Sequence, residues 1–384
     1  MSDKSENSPP ANPLKEVFHA LAGAGNRLDL NLLSNSVRIA IVGASRSGKT
    51  VLLTSLIDHL RNHDPRRFRL QPSPFSGKEF ARISGYDILE VKKPLAEFPF
   101  ETFRKSLIDE ASWPHKTRDT YQYRLKAYRD DSGVDRIKDV RFSTRLSFLD
   151  FPGERIADAP ITGMNYAEWS DYALENLPVG KPFAGLVEAF NAASEKPPVS
   201  GETVLAAYKR ILAERLGHFH TAITPSTFSL SPEGTTPEAG TPNEDLVRDR
   251  LTGLERGQEF CPLAAKAREE NPELVRTFER AYRVYQATLV RPLYKALADC
   301  DRLCLLVNIP EILQSGVEAY NDHVELMKNV LAFCAPRRGI PGQVIGRLTK
   351  TLGKVFIDDR YRPGGIEKAA FVATQADRVR PSDV

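Results

Sequence analysis

The stretch IAIVGASRSGKTVLL at residues 39–53 constrains the fold most, because its middle satisfies the pattern GxxxxGK[ST]. The residues before the first glycine are β-branched and apolar, which is typical of a buried parallel strand. The residues after the lysine place leucine and isoleucine at helical spacing. A strand that enters a glycine-rich loop and leaves as a helix can wrap its main-chain N–H groups around a polyphosphate. The sequence therefore predicts a phosphate-binding loop at residues 43–50.

Each fixed position of this loop has a chemical reason. Gly43 and Gly48 let the main chain approach the ligand closely. Lys49 is expected to reach the β- and γ-phosphate oxygens, and the Thr50 hydroxyl is expected to ligate Mg²⁺. The positive end of the helix dipole adds to the attraction. The residues that we expect to contact the phosphates are Gly43, Ser45, Arg46, Ser47, Gly48, Lys49, Thr50 and Val51.

A second motif, DxxG, lies in FSTRLSFLDFPGER at residues 142–155. The alternation of apolar and polar residues predicts a half-exposed strand that ends at Asp150. An aspartate at that position can hold Mg²⁺ through water, and the N–H group of Gly153 can bond the γ-phosphate. DxxG is a short pattern that occurs by chance, so its place after a strand and downstream of the loop carries the prediction.

A hairpin is predicted just upstream. Residues 121–127 alternate between apolar and polar types, and DDSG at residues 130–133 is typical of a turn that leads into the DxxG strand. Before the hairpin lies WPHKTRDT, where Thr117 is expected to contact the γ-phosphate and Mg²⁺. Thr117 is favoured over Thr120 because its distance from the strand suits a loop. The alternative is an ordinary surface threonine. The predicted metal ligands are Thr50, Thr117 and Asp150.

The last motif is IEKAAFVATQAD at residues 366–377, a predicted strand that runs into TQAD. GTPases place [NT]KxD here, and its aspartate accepts both guanine N–H groups, which rejects purines that lack them. Asp377 can read guanine in this way, while Gln375 stands where the motif has a lysine and offers a shorter, uncharged stem beside the base. The predicted base-binding residues are Thr374, Gln375 and Asp377. The alternative is an ordinary aspartate at a strand end.

Composition excludes several classes of function. Lys and Arg number 53 against 50 Asp and Glu, and this balance argues against a nucleic-acid surface. The four cysteines lack metal-ligand spacing, which favours reduced thiols in a cytoplasmic protein. We expect no transmembrane segment, because the longest apolar runs are too short, and residues 1–13 resemble a disordered tail. An amphipathic stretch after residue 13 leaves a peripheral membrane contact open, although docking on the protein body is favoured.

Together these residues resemble the YcjX-like family of bacterial P-loop proteins, which is described as stress-associated and GTPase-like. The resemblance rests on GASRSGKT, WPHKT, FLDFPGE, residues 281–313, GVEAYNDHVELM and AAFVATQAD, and it runs from about residue 30 to the end. It implies a Ras-like P-loop core, with a mostly parallel sheet, an antiparallel edge hairpin and helices on both faces. It further implies an inserted all-helical domain, with Mg²⁺ and GTP or GDP as ligands. It names no partner, so any protein effector is unknown.

The expected domain arrangement follows from these motifs. Residues 14–155 and 300–384 form the α/β core, and residues 156–299 form the helical insertion, with an exposed Pro- and Thr-rich loop at 221–245. Its clearest helix is expected to begin with Asn271 as cap and to bend at Pro292. The chain departs from the family at Gln375, at Asn308, where an aspartate is usual, and in ending seven residues after Asp377. Two interpretations stay open: either the chain is shortened, or its nucleotide pocket is half open.

The expected activity is slow hydrolysis of GTP to GDP and phosphate by a molecular switch. Ras-like proteins orient water with a glutamine where this chain has Glu154, whose charge beside a nucleotide is unfavourable unless it is protonated or paired with Arg155. The predicted catalytic residues are Lys49, Thr117, Gly153 and Glu154. Two alternatives stay open: an ATPase, because the base motif is altered, and a nucleotide-binding scaffold without turnover. A P-loop kinase is less favoured, because no lid-like arginine cluster follows the core strands.

Overall fold

The fold is that of a computed structural model, which describes most of the chain between residues 35 and 375. The described ranges are 35–44, 46–70, 82–93, 95–114, 120–129, 143–195, 199–218, 223–226, 259–314, 316–334, 366 and 368–375.

A mixed sheet forms the centre of the described structure. Its strands lie in the order β2-β4-β5-β1-β6-β7, and the short β3 pairs with the start of β4. β5, β1, β6 and β7 run parallel to one another, whereas β4 is antiparallel to both β2 and β5. This confirms the predicted mixed α/β sheet, mostly parallel with an antiparallel pair towards one edge. The strands are β1 (Asn35–Gly43), β2 (Ile83–Ile88), β3 (Ala96–Glu97), β4 (Tyr121–Arg129), β5 (Ser143–Asp150), β6 (Arg302–Asn308) and β7 (Lys368–Thr374).

Helices follow the strands in a pattern consistent with a Ras-like P-loop fold. The α-helices are α1 (Lys49–Arg61), α2 (Phe100–Ile108), α3 (Tyr166–Glu175), α4 (Ala184–Glu195), α5 (Gly201–Gly217), α6 (Ala265–Glu270), α7 (Pro272–Tyr285), α8 (Arg291–Ala298), α9 (Ile309–Gln314) and α10 (Gly316–Cys334). A 3-10 helix covers Gly153–Thr162, and a π-helix, Gln286–Val290, joins α7 to α8. The division into a core and an inserted helical domain stays a prediction.

The sheet is covered on both faces because its central strands are apolar on both sides. On β1, Ile41 belongs to the cluster formed with α1 and α2, while Ala40 and Val42 belong to the cluster formed with the 3-10 helix and the later helices. On β6, Leu306 belongs to the cluster with α1 and α2, and Leu305 belongs to the cluster with the 3-10 helix. Continuous apolar runs are what strands buried on both faces require.

The helix from residue 272 begins where proline predicts, but its cap and its bend differ from expectation. Asn271 makes no capping contact, and its side chain donates to the Ala267 carbonyl instead. Near Pro292 the expected bend is replaced by a wider turn: the chain forms the π-helix before α8 begins at Arg291. Phe278 and Tyr285 of this helix are buried.

Among the described helices, none has both the length and the apolar character that crossing a membrane requires.

Gly43, at the end of β1, lies opposite Leu306 of β6. A Cβ atom added there would stand 2.7 Å from the Leu306 carbonyl oxygen and 2.6 Å from Ser47 Oγ. The first of these atoms is main chain in a central strand and has no room to move. The glycine is therefore required by the sheet itself, in addition to any ligand.

We expect Gly43→Ala to lower the free energy of unfolding by about 2 kcal/mol, because overpacking a rigid site costs that much. Gly185→Ala in α4 is the matched control, since nothing lies within 4 Å of the added atom. The control should be neutral or stabilising by roughly 0.5 kcal/mol. Urea unfolding of the two variants measures both effects, and equal midpoints would contradict the close approach.

Candidate functional site

The predicted phosphate loop lies between the carboxyl end of β1 and the amino end of α1. Two of its residues have left-handed backbone angles, Gly48 with φ of 83° and Arg46 with φ of 63°. The left-handed angle of Arg46 costs about 1 kcal/mol of stability, because this residue is not a glycine. α1 begins without a side-chain cap and without an acidic residue in its first turn. The loop thus turns sharply, and the positive end of the helix dipole is not offset by a carboxylate of that turn.

Lys49 points into this loop. Its side chain is largely buried, and Nζ donates hydrogen bonds of 2.9 Å to the carbonyl oxygens of Gly43 and of Ala44. A buried ammonium group needs such oxygen partners. Beside it the Ser47 side chain is fully buried, and its Oγ has no hydrogen-bond partner among the described residues. The loop therefore concentrates strong donors within a small volume.

Asp150 reaches the same end of the sheet. It ends β5 opposite Ile41 of β1, and the Phe151 N–H group extends the ladder by a 3.0 Å bond to the Ile41 carbonyl. The Asp150 side chain is only 2% exposed. Gly153, also buried, begins the 3-10 helix three residues later. The structure therefore brings Asp150 and Gly153 to the strand next to the loop, as the sequence predicts.

The loop is also held from the other side, by contacts that sequence analysis missed. Gln375, directly after β7, donates from Nε2 to the Arg46 carbonyl oxygen at 3.0 Å. Asn308, the last residue of β6, approaches the same oxygen at 3.4 Å and donates to Glu311 at 2.9 Å. The Thr374 hydroxyl donates to the Val307 carbonyl. Polar residues that follow neighbouring parallel strands were the available signal, because the carboxyl ends of such strands meet at one edge.

Gln375 thus makes a contact that the sequence did not predict, because its amide donates to the loop main chain. Its expected place beside a base stays a prediction. Ser45, Thr117 and Asp377 lie outside the described residues, as does the Glu154 side chain. Thr50 and Val51 lie in the first turn of α1, partly buried. Within the described ranges, no group of three or more His, Cys, Asp or Glu residues is placed to hold a metal ion.

A family model for the YcjX-like family, DUF463, matches residues 37–384. The chain belongs to the YcjX-like family.

Two curated relatives bear the name Ras-like GTPase YcjX. The protein from Escherichia coli K12 is 29% identical over 167 residues, which are 41% of this chain and 32% of that protein. The protein from Shewanella oneidensis MR-1 is 24% identical over 310 residues, which are 74% of this chain and 60% of that protein. The chain therefore spans less than two thirds of the length of either relative.

The 3-10 helix of this YcjX-like protein is bound to α7 through a buried polar network. Arg155 Nη1 donates to the Tyr285 hydroxyl at 2.8 Å, and that hydroxyl lies 2.5 Å from Asp158 Oδ2. The Ser226 N–H group donates to the other Asp158 oxygen at 2.9 Å. Arg155 thus contacts α7. Its pairing with Glu154 stays a prediction, because the Glu154 side chain lies outside the described residues. A buried carboxylate is tolerated here because a cation and several donors surround it.

Burial raises the pKa of Asp158 to about 6, and the opposing effects of Arg155, Tyr285 and Ser226 are smaller. The folded chain therefore binds this proton more tightly than the unfolded chain does. The corresponding stability is present at low pH and is lost as the pH rises through about 6.

We expect the free energy of unfolding of the wild type, relative to Asp158→Asn, to fall by on the order of 3 kcal/mol between pH 4 and pH 7, since one pKa unit corresponds to about 1.4 kcal/mol. Subtracting the two curves removes the other titrating groups. Urea unfolding of both proteins at several pH values measures the difference, and a flat difference curve would contradict a buried, titrating Asp158.

Proposed function

We propose that this YcjX-like protein binds a guanine nucleotide with Mg²⁺ and hydrolyses GTP slowly, as a molecular switch. The observation that carries the proposal is the buried Lys49 ammonium in a tight loop at the start of α1, next to the strand that ends at Asp150. The name of the two relatives, Ras-like GTPase YcjX, supports the same class of ligand.

Lys49 would change partners when a triphosphate enters. Its two carbonyl bonds satisfy the ammonium in the absence of phosphate, and the β- and γ-phosphate oxygens are stronger, charged acceptors. The loop N–H groups and the first turn of α1 supply further donors. Stabilising charge on the transferred phosphoryl group in this way is the main catalytic contribution expected of a P-loop protein.

The hard oxygen donors near the loop fit Mg²⁺. The Thr50 hydroxyl and the Asp150 carboxylate, directly or through water, are the ligand types that Mg²⁺ prefers, and Thr117 would complete the set. When bound, the ion would neutralise charge on the phosphate oxygens. Gly153 would bond the γ-phosphate through its N–H group. Glu154, in place of the usual glutamine, is the reason to propose slow turnover.

Guanine would be read by Asp377, with Thr374 and Gln375 before it in the strand-end motif. One observation favours ATP as a second candidate substrate: the Gln375 amide is engaged with the Arg46 carbonyl, so base recognition would depend on Asp377. The protein effector of the switch stays unknown.

Competition for a fluorescent GTP analogue in the presence of Mg²⁺ tests this proposal. We expect GTP to displace the analogue at a concentration about 100-fold below that of ATP, because a carboxylate that accepts both guanine N–H groups rejects a base that lacks them. Lys49→Ala should weaken GTP binding by about 10- to 100-fold, the value of a hydrogen bond to a charged group.

Lys266→Ala, on the exposed surface of α6, is the control and should bind like the wild type. Equal displacement of the analogue by ATP and by GTP would contradict the guanine assignment and favour the ATPase. Binding without phosphate release above the level of Lys49→Ala, measured in a single turnover, would favour the scaffold.

Asp377→Asn tests the base assignment separately. An amide can donate to one position of the base, so we expect the variant to lose GTP affinity and to gain affinity for xanthosine triphosphate by at least about 10-fold. The same competition assay measures both ligands. Unchanged GTP affinity in Asp377→Asn would show that this residue does not read the base.

A further inference from the structure

The segment that follows Gly153 is enclosed by the helix pair α7–α8. Residues 155–162 are all buried. A ten-residue 3-10 helix lies against a π-helix, and both are uncommon, since long 3-10 runs have poor hydrogen-bond geometry and π-turns occur mostly at functional sites. An unusual backbone of this kind needs external support.

That support comes from side chains of the helix pair. The Tyr294 hydroxyl, on α8, lies 2.9 Å from the Arg155 carbonyl and 3.0 Å from the Ile156 carbonyl. Gln286, in the π-helix, donates to the carbonyls of Ile161 and Met164. Tyr282 donates to the Met164 carbonyl as well. One helix pair thus fixes the 3-10 helix from its first turn to the loop beyond its end.

Tyr285 adds a side-chain contact between these main-chain contacts. Its hydroxyl joins Arg155 to Asp158, and burial raises the pKa of Tyr285, so the hydroxyl stays protonated as a donor. The two tyrosine hydroxyls therefore restrain the residues two to five positions after Gly153. Simple core packing would not need these hydroxyls, because phenylalanine has the same ring and avoids burying a polar group.

We propose that Tyr285 and Tyr294 are positioning residues that hold the Gly153 main chain where it meets the γ-phosphate. This inference rests on the proposed function. Only a triphosphate reaches Gly153, whereas a diphosphate is held by the loop of residues 43–50. Removal of either hydroxyl should therefore weaken triphosphate binding and leave diphosphate binding unchanged. A loss of general stability would lower both affinities together.

The experiment compares the dissociation constants of GppNHp, a non-hydrolysable GTP analogue, and of GDP, each with Mg²⁺. We expect Tyr285→Phe and Tyr294→Phe each to reduce the preference for GppNHp by about 5-fold, the value of one ordinary hydrogen bond. Tyr166→Phe is the matched control. It removes a buried hydroxyl that donates to the Cys261 carbonyl at 2.8 Å, away from the 3-10 helix, and should leave the preference unchanged.

Thermal unfolding identifies the variants that fold. If Tyr294→Phe does not fold, Tyr285→Phe alone decides the outcome. An unchanged preference for GppNHp in a folded Tyr285→Phe variant would overturn this inference and leave the proposed function intact. An equal loss of preference in Tyr166→Phe would do the same. If the wild type binds neither nucleotide, the proposed function is wrong and the inference falls with it.

Discussion

The structure depends on how one buried cation is satisfied. The Lys49 ammonium sits inside a loop whose main chain turns back on itself, and it takes two carbonyl oxygens from that same loop. A cation removed from water must have such partners. In the same loop, Gly48 and Arg46 adopt left-handed angles, and Gly43 packs directly against β6. Under the proposed function, the phosphate oxygens of the nucleotide would replace these two carbonyls as the partners of the lysine.

The surrounding elements support two segments, the loop and the 3-10 helix that follows Asp150. From β6 and β7, Asn308 and Gln375 converge on the Arg46 carbonyl, which offsets the strain at that residue. From β5, Asp150 leads into a 3-10 helix that α7, the π-helix and α8 fix through buried hydroxyl and amide groups. The two supports are separate, so they can be altered separately.

Sequence predicted the parts that depend on local pattern. The strand before Gly43, the helix from Lys49, the strand that ends at Asp150 and the helix from Pro272 follow from periodicity and from glycine and proline positions. It could not predict the Gln375 contact with Arg46, which joins residues 329 positions apart through one side-chain rotamer. Nor could it predict that the helix widens to a π-helix near Pro292, where Gln286 donates to the carbonyl of Ile161, 125 positions away in the chain. The prediction that the Asn271 side chain caps the helix was wrong, because this side chain donates to the Ala267 carbonyl instead. The roles of Thr117, Glu154 and Asp377 stay predictions.

The most direct test of the central claim is a crystal structure of the chain with Mg²⁺ and GppNHp. The account predicts that Lys49 Nζ leaves the carbonyls of Gly43 and Ala44 and lies within hydrogen-bond distance of the β- and γ-phosphate oxygens. The N–H groups of residues 46–50 should point at the β-phosphate. A triphosphate bound elsewhere on the chain, with Lys49 still on both carbonyls, would contradict it.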